Sequence, residues 1–140
     1  MAEQPPAARG IIDTSVVIEL ERLDPTDLPA EIAISAVTLA ELAAGPHAAA
    51  DAIERARRQE RLQRVEATFE PLPIDGAVAR AYGSVYAAVI EAGRKARGRR
   101  ALDLLIAATA VANALPLYTR NPDDFDGLAD MLTIVAVSAE

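Results

Sequence analysis

Cysteine is absent from this chain, so neither a disulfide framework nor a thiolate metal site can form, which fits a reducing interior. Tryptophan is missing too, and aromatic residues make up only 4% of a sequence that is 51% hydrophobic. Alanine, leucine, valine and isoleucine must therefore fill the core, which suits helices packed closely on a β-rich centre. The lone histidine, His47, sits in Gly45-Pro-His-Ala at a helix junction, where a surface or capping position accounts for it without a catalytic role. A long uninterrupted apolar run is also lacking. The stretch from Ala101 to Tyr118 is broken by Asp103, Asn113 and Pro116, which excludes an ordinary membrane span. The first residues, MAEQPPAARG, carry no apolar segment of the secretory kind and read as a flexible leader over 1–9. The expectation is a soluble, cytoplasmic protein.

Positive charge is in short supply. There are 14 bases against 21 acids, a net charge of −7, which argues against a general nucleic-acid binder. The bases are nevertheless concentrated. Arg55, Arg57, Arg58, Arg61 and Arg64 form one cluster, and Arg94, Lys95, Arg97, Arg99 and Arg100 form another. The first alternates with Asp51, Glu54 and Glu60 at four-residue spacing, the pattern of a solvated helix face. The second falls after the break at Gly93 to Gly98, on an expected loop directly before Asp103. Five cations there are either a counter-charge for nearby acids or a clamp for a polyanion, and the position favours the clamp.

What the chain does contain is an alternation of strand-like and helix-like segments across its 140 residues, read as one domain over 10–140. Gly10–Ile12, Ile32–Ile34, Pro71–Ile74, Leu115–Tyr118 and Leu132–Val137 read as strands, the third near an edge because of its prolines. Helical periodicity covers Thr14–Leu20, a short segment headed by Thr38, then 48–69, 75–92 and the apolar run after Asp103. The fold class is therefore α/β: a doubly wound, mainly parallel five-stranded sheet with helices on both faces. Ligands of such sheets bind at the carboxyl ends of the strands.

Four acids can meet there. Asp13 follows the first strand, Glu41 and Asp103 head helices, and the fourth comes from the pair Asp123 and Asp124, which follows Asn121-Pro122 after the fourth strand. Each has a structural explanation. Asp13 can cap the next helix, Thr38-Leu-Ala-Glu41 has capping-box spacing, and Asp103 and Asp124 can complement helix N-termini. Gathered at one edge, however, four carboxylates raise one another's pKa and call for a divalent cation. The donors would be hard oxygens, which favours Mg²⁺ or Mn²⁺ over zinc. Two such ions about 3.5 to 4 Å apart can generate a hydroxide and stabilise the leaving oxygen of a phosphodiester.

Asp13-Thr-Ser after a strand, Thr38-x-x-Glu41, Asp103-x-Leu-Ile-Ala-Ala and Leu117-Tyr-Thr-Arg-Asn-x-Asp-Asp-Phe125 together resemble the successive motifs of PIN-domain ribonucleases, in particular VapC-type toxins of bacterial toxin–antitoxin systems. The resemblance spans roughly Gly10 to Val137. It implies a PIN-like fold, a Mg²⁺-dependent endoribonuclease acting on RNA, a homodimer, and inhibition by a cognate antitoxin. By motif, Asp13, Glu41 and Asp103 would be the principal metal ligands and catalytic acids, with Asp124 as the fourth. Related sequences often carry an acid where Asn121 stands, which leaves open whether Asn121, Asp123 or Asp124 completes the set. Thr14, Ser15 and Thr119 match supporting hydroxyls, and Arg97, Arg99 or Arg100 would contact RNA. The alternatives are a PIN-like binding domain without catalysis and a receiver-type signalling module. The receiver class wants paired acids after its first strand and a lysine after its last, and this chain has neither.

Overall fold

The computed structural model describes residues 8–96 and 98–138. Among them four strands form one parallel sheet, β1 (Arg9–Ile12), β2 (Glu31–Ala33), β3 (Leu117–Thr119) and β4 (Ile134–Ala136), in the order β2-β1-β3-β4. The chain winds outward from β1 in one direction to β2 and in the other to β3 and β4. The crevice at the carboxyl ends of β1 and β3 is thus the place where the strand order reverses.

Strand alternation sends neighbouring residues to opposite faces. Ile11 and Leu117 enter one core with Val78, Val85 and Val89 of α4 (Gly76–Glu91) and Leu104, Ala107 and Ala108 of α5 (Arg99–Ala112). Ile12 and Tyr118 enter a second core with Val16 and Val17 of α1 (Thr14–Ile18) and Val65 of α3 (Ala52–Thr68). The helix α2 (Ala36–Ala44) serves both, through Val37 on one side and Leu42 on the other. Helices therefore cover both faces, as the periodicity implies. His47 is exposed in a 3-10 turn, Gly45–Ala48, after α2.

The sheet has four strands rather than five. Pro71–Ile74 contributes a single bridge, in which the Leu72 N–H donates to Ile34 O (2.8 Å) and Leu72 O accepts from the Ala36 N–H (2.9 Å). The partner segment turns into α2 at Ala36, directly after the bridge, so the pairing cannot propagate. Of the expected leader, 1–7 lie outside the described residues, and Arg9 already belongs to β1.

Three local expectations also change. The N-cap of α2 is Ser35, whose hydroxyl accepts from the Val37 N–H at 3.0 Å, so Thr38 and Glu41 lie inside the helix rather than forming its capping box. Asp103 is not at the head of α5 but in its second turn, because the helix begins at Arg99 after Gly98. Gly98 is at φ 64° and ψ −134°, a conformation in which glycine is favoured. The second basic cluster is accordingly split, with Arg94 and Lys95 in the loop and Arg99 and Arg100 in the first turn of α5.

Candidate active site

Asp13 leaves β1 in extended conformation and caps α1, accepting from the Val16 N–H at 3.1 Å. The same Oδ1 accepts from the Ser15 hydroxyl at 2.6 Å, and Ser15 Oγ in turn accepts from the Arg120 N–H at 3.1 Å. The exit of β3 is thereby tied to the exit of β1. Asp13 is buried, and desolvation pushes its pKa up, opposed by hydrogen bonds from Ser15, Thr119 and the backbone.

The next residue positions the second acid. Thr14 Oγ1 donates to Glu41 Oε1 at 2.7 Å and stands 3.1 Å from the fully buried Thr38 Oγ1. Thr38 and Glu41 are three apart on one face of α2, so the spacing that resembles a cap instead aims both at α1.

Asp103 reaches the same crevice from α5. Its pKa is pushed up to about 6, first by desolvation, then by the charges of Asp124, Glu41 and Asp13, with Arg100 pulling the other way. Asp124 arrives on the 3-10 turn Pro122–Phe125, which buried Phe125 pins to the core. Arg100 donates to Asp124 O at 2.6 Å, and the Asn121 N–H donates to Thr119 Oγ1 at 3.0 Å. Asn121 heads that turn without a side-chain capping bond.

A cleft of about 430 Å³ is lined by Asp13, Thr14, Ser15, Ile18, Glu41, Arg100, Asp103, Asn121 and Asp124. The structure therefore brings together all four acids, two of the three hydroxyl residues, Asn121 and one arginine. Thr119 lies behind them, fully buried. Asp123 is exposed and absent from the lining, so the turn presents Asp124 and Asn121. Arg97 falls outside the described residues, and Arg99 is placed only as the first residue of α5. Two contributors were not singled out as site residues in sequence. Ile18 is an apolar wall whose only signal is its position four residues after Thr14, and Thr38 was read solely as a cap.

Among the described residues no three acids already stand as a metal cage. Like charges drive carboxylates apart when no cation lies between them. The donor set itself fits a hard divalent ion: oxygen ligands only, partly desolvated, with Asp103 strained by its acidic neighbours.

The chain matches the PIN domain family over residues 11–131. It belongs to the PIN-domain family. Its similarity to Ribonuclease VapC5 of Mycobacterium tuberculosis (strain ATCC 25618 / H37Rv) is 43% identity over 124 residues, covering 86% of this chain and 88% of the relative. Ribonuclease VapC4 of the same strain is 37% identical over 130 residues, 90% and 95% of the two chains. Among solved structures, the toxin–antitoxin complex VapBC-5 from M. tuberculosis superposes with a TM-score of 0.77 at 38% identity, covering 93% of this PIN-domain chain and 99% of that one. Membership of the PIN-domain family sets aside the receiver-type alternative. PIN-domain ribonucleases of the VapC kind are metal-dependent in general.

Proposed function

We propose that this PIN-domain protein is the toxin of a type II toxin–antitoxin pair, a cytoplasmic endoribonuclease that hydrolyses phosphodiester bonds in RNA. The observation that carries the reading is the convergence of Asp13, Glu41, Asp103 and Asp124 on one cleft, with three of them acting on the fourth strongly enough to help raise its pKa to about 6. The similarity to ribonucleases VapC5 and VapC4 supports the reaction class. The similarity to the VapBC-5 complex supports an antitoxin as partner. A homodimer is proposed on the family resemblance.

Asp13, Glu41, Asp103 and Asp124 would hold Mg²⁺, with Mn²⁺ as a substitute. When bound, the ion supplies Lewis-acid polarisation of the phosphodiester and a lower pKa for water. The chain's own work is positioning. Ser15 and the Val16 amide orient Asp13, Thr14 orients Glu41, and Arg100 fixes the backbone of the turn that bears Asp124. Arg100 also lines the cleft, where its guanidinium can meet a phosphate. Arg97 and Arg99 are proposed for the same role only from their place in the second basic cluster of the sequence.

Purified wild type should cut single-stranded RNA with Mg²⁺ and stop in EDTA. Asp13→Asn and Asp103→Asn should fold and be inactive, a loss of at least about a hundredfold. Cleavage by either variant, or full cleavage in EDTA, would sink the proposal. An Mn²⁺ titration with no binding to wild type would mark the chain as a silent member of its family.

A further inference from the structure

Beside the cleft lies a second concavity of about 550 Å³, lined by Tyr86, Ile90, Arg94, Lys95 and Ala96. Tyr86 and Ile90 lie one helical turn apart on α4, 44% and 50% exposed, although both are large apolar side chains. The Tyr86 ring is held by Tyr82, with centroids 6.2 Å apart and planes tilted at 53°. Arg94 is engaged: it donates to Asp126 Oδ2 at 2.9 Å and to Asp123 O at 3.2 Å. Lys95 is exposed and meets no hydrogen-bond or ion-pair partner among the described residues.

We propose that this concavity is a subsite for single-stranded RNA, in which a nucleobase outside the scissile bond stacks on Tyr86 against Ile90 and its phosphate meets Lys95. The inference rests on the endoribonuclease reading and deepens it by naming residues that hold the strand beyond the acids. An exposed ring next to an unpaired ammonium is the chemistry that single-strand binders use, stacking for the base and positive charge for the backbone. Continuity with the cleft selects RNA over another occupant. Arg94 of the concavity grips the Asp123–Asp126 turn, and Asp124 of that turn lines the acid cleft.

The test uses full-length Asp103→Asn protein, which keeps the strand intact, and follows binding of fluorescent single-stranded RNA by anisotropy. Tyr86→Ala should weaken binding of a strand of about twelve nucleotides about tenfold, Tyr86→Phe should bind as its parent does, and the Ala effect should vanish for a strand of about three. Lys95→Ala should flatten the dependence of log affinity on log salt by about 0.7. Unchanged affinity in both alanine variants, or an equal loss on long and short strands, overturns the subsite. So does a fall in solution mass by light scattering in Tyr86→Ala, which would assign the face to a second copy of the chain. If these variants bind normally while wild type still cleaves, the subsite alone is wrong. Absence of cleavage by wild type on any strand removes both readings.

Discussion

Asp13 performs two tasks with one carboxylate, capping α1 and facing the cleft, and the first task keeps the second in place. Among the described residues Glu41 has no such backbone anchor and is held by the Thr14 hydroxyl. Thr14→Val keeps the side-chain shape but removes that donor. It should weaken Mn²⁺ binding about tenfold, measured by calorimetric titration, while the unfolding midpoint in EDTA barely moves. Asp103 gives a prediction of opposite character. Its folded pKa of about 6 lies above the ordinary aspartate value of 3.8, so between these values the native state holds a proton that the unfolded chain has released. The stabilising contribution of this group is therefore complete below about 4 and lost as pH rises through about 6. Asp103→Asn should make the metal-free protein more stable at pH 7, by about 1 kcal/mol once solvent screening of this half-buried group is allowed for. Urea unfolding in EDTA at pH 7 and pH 5 checks it: the gain should shrink at the lower pH.

At the scale of elements, the site depends on short connections more than on the long helices. The turn carrying Asp124 is held by Phe125 in the core, by Arg100 on its backbone, and by Gly127 just beyond. Gly127 has φ 93°, and a Cβ there would come within 2.9 Å of Ala92 Cβ at the end of α4. Gly127→Ala should destabilise the fold by about 1–2 kcal/mol and lower cleavage by displacing the turn, read from paired urea and activity measurements. The sequence made the strand–helix alternation legible, and with it Asp13 as a strand-end cap and the Asn121–Asp124 turn after a later strand, but not which acid of that turn faces the cleft. It concealed the geometry of α2. Thr38 and Glu41 have the spacing of a capping box, but the same spacing puts two side chains on one face inside a helix, and only the Ser35 cap distinguishes the cases. Likewise the apolar run after Asp103 gave the helix but not its start, which is set by the backbone at Gly98.

For the whole molecule, a cation shared by groups from α1, α2, α5 and the Asp124 turn would bind the folded chain and not the unfolded one. Mg²⁺ or Mn²⁺ at about a hundred times its dissociation constant should therefore stabilise wild type by about 2.7 kcal/mol, seen as a higher melting temperature, and do much less in Asp103→Asn. Because protons compete for the same oxygens, apparent metal affinity and cleavage should fall as pH drops below about 6, the midpoint set by Asp103. The net charge of −7 does not show where the cations lie, but their clustering directly before Asp103 does, and Arg100 of that cluster lines the cleft. The order β2-β1-β3-β4 was hidden, because alternation along a chain does not say which strand lies beside which. That order has a temporal consequence. β1 has β3, more than a hundred residues later, as one of its neighbours, so Asp13 and Asp124 share a cleft only after nearly all of this sequence has left the ribosome. On the proposed function, a chain cut short before β3 should therefore lack nuclease activity, and the interval before the sheet closes would give a neutralising partner time to be present when the site first forms.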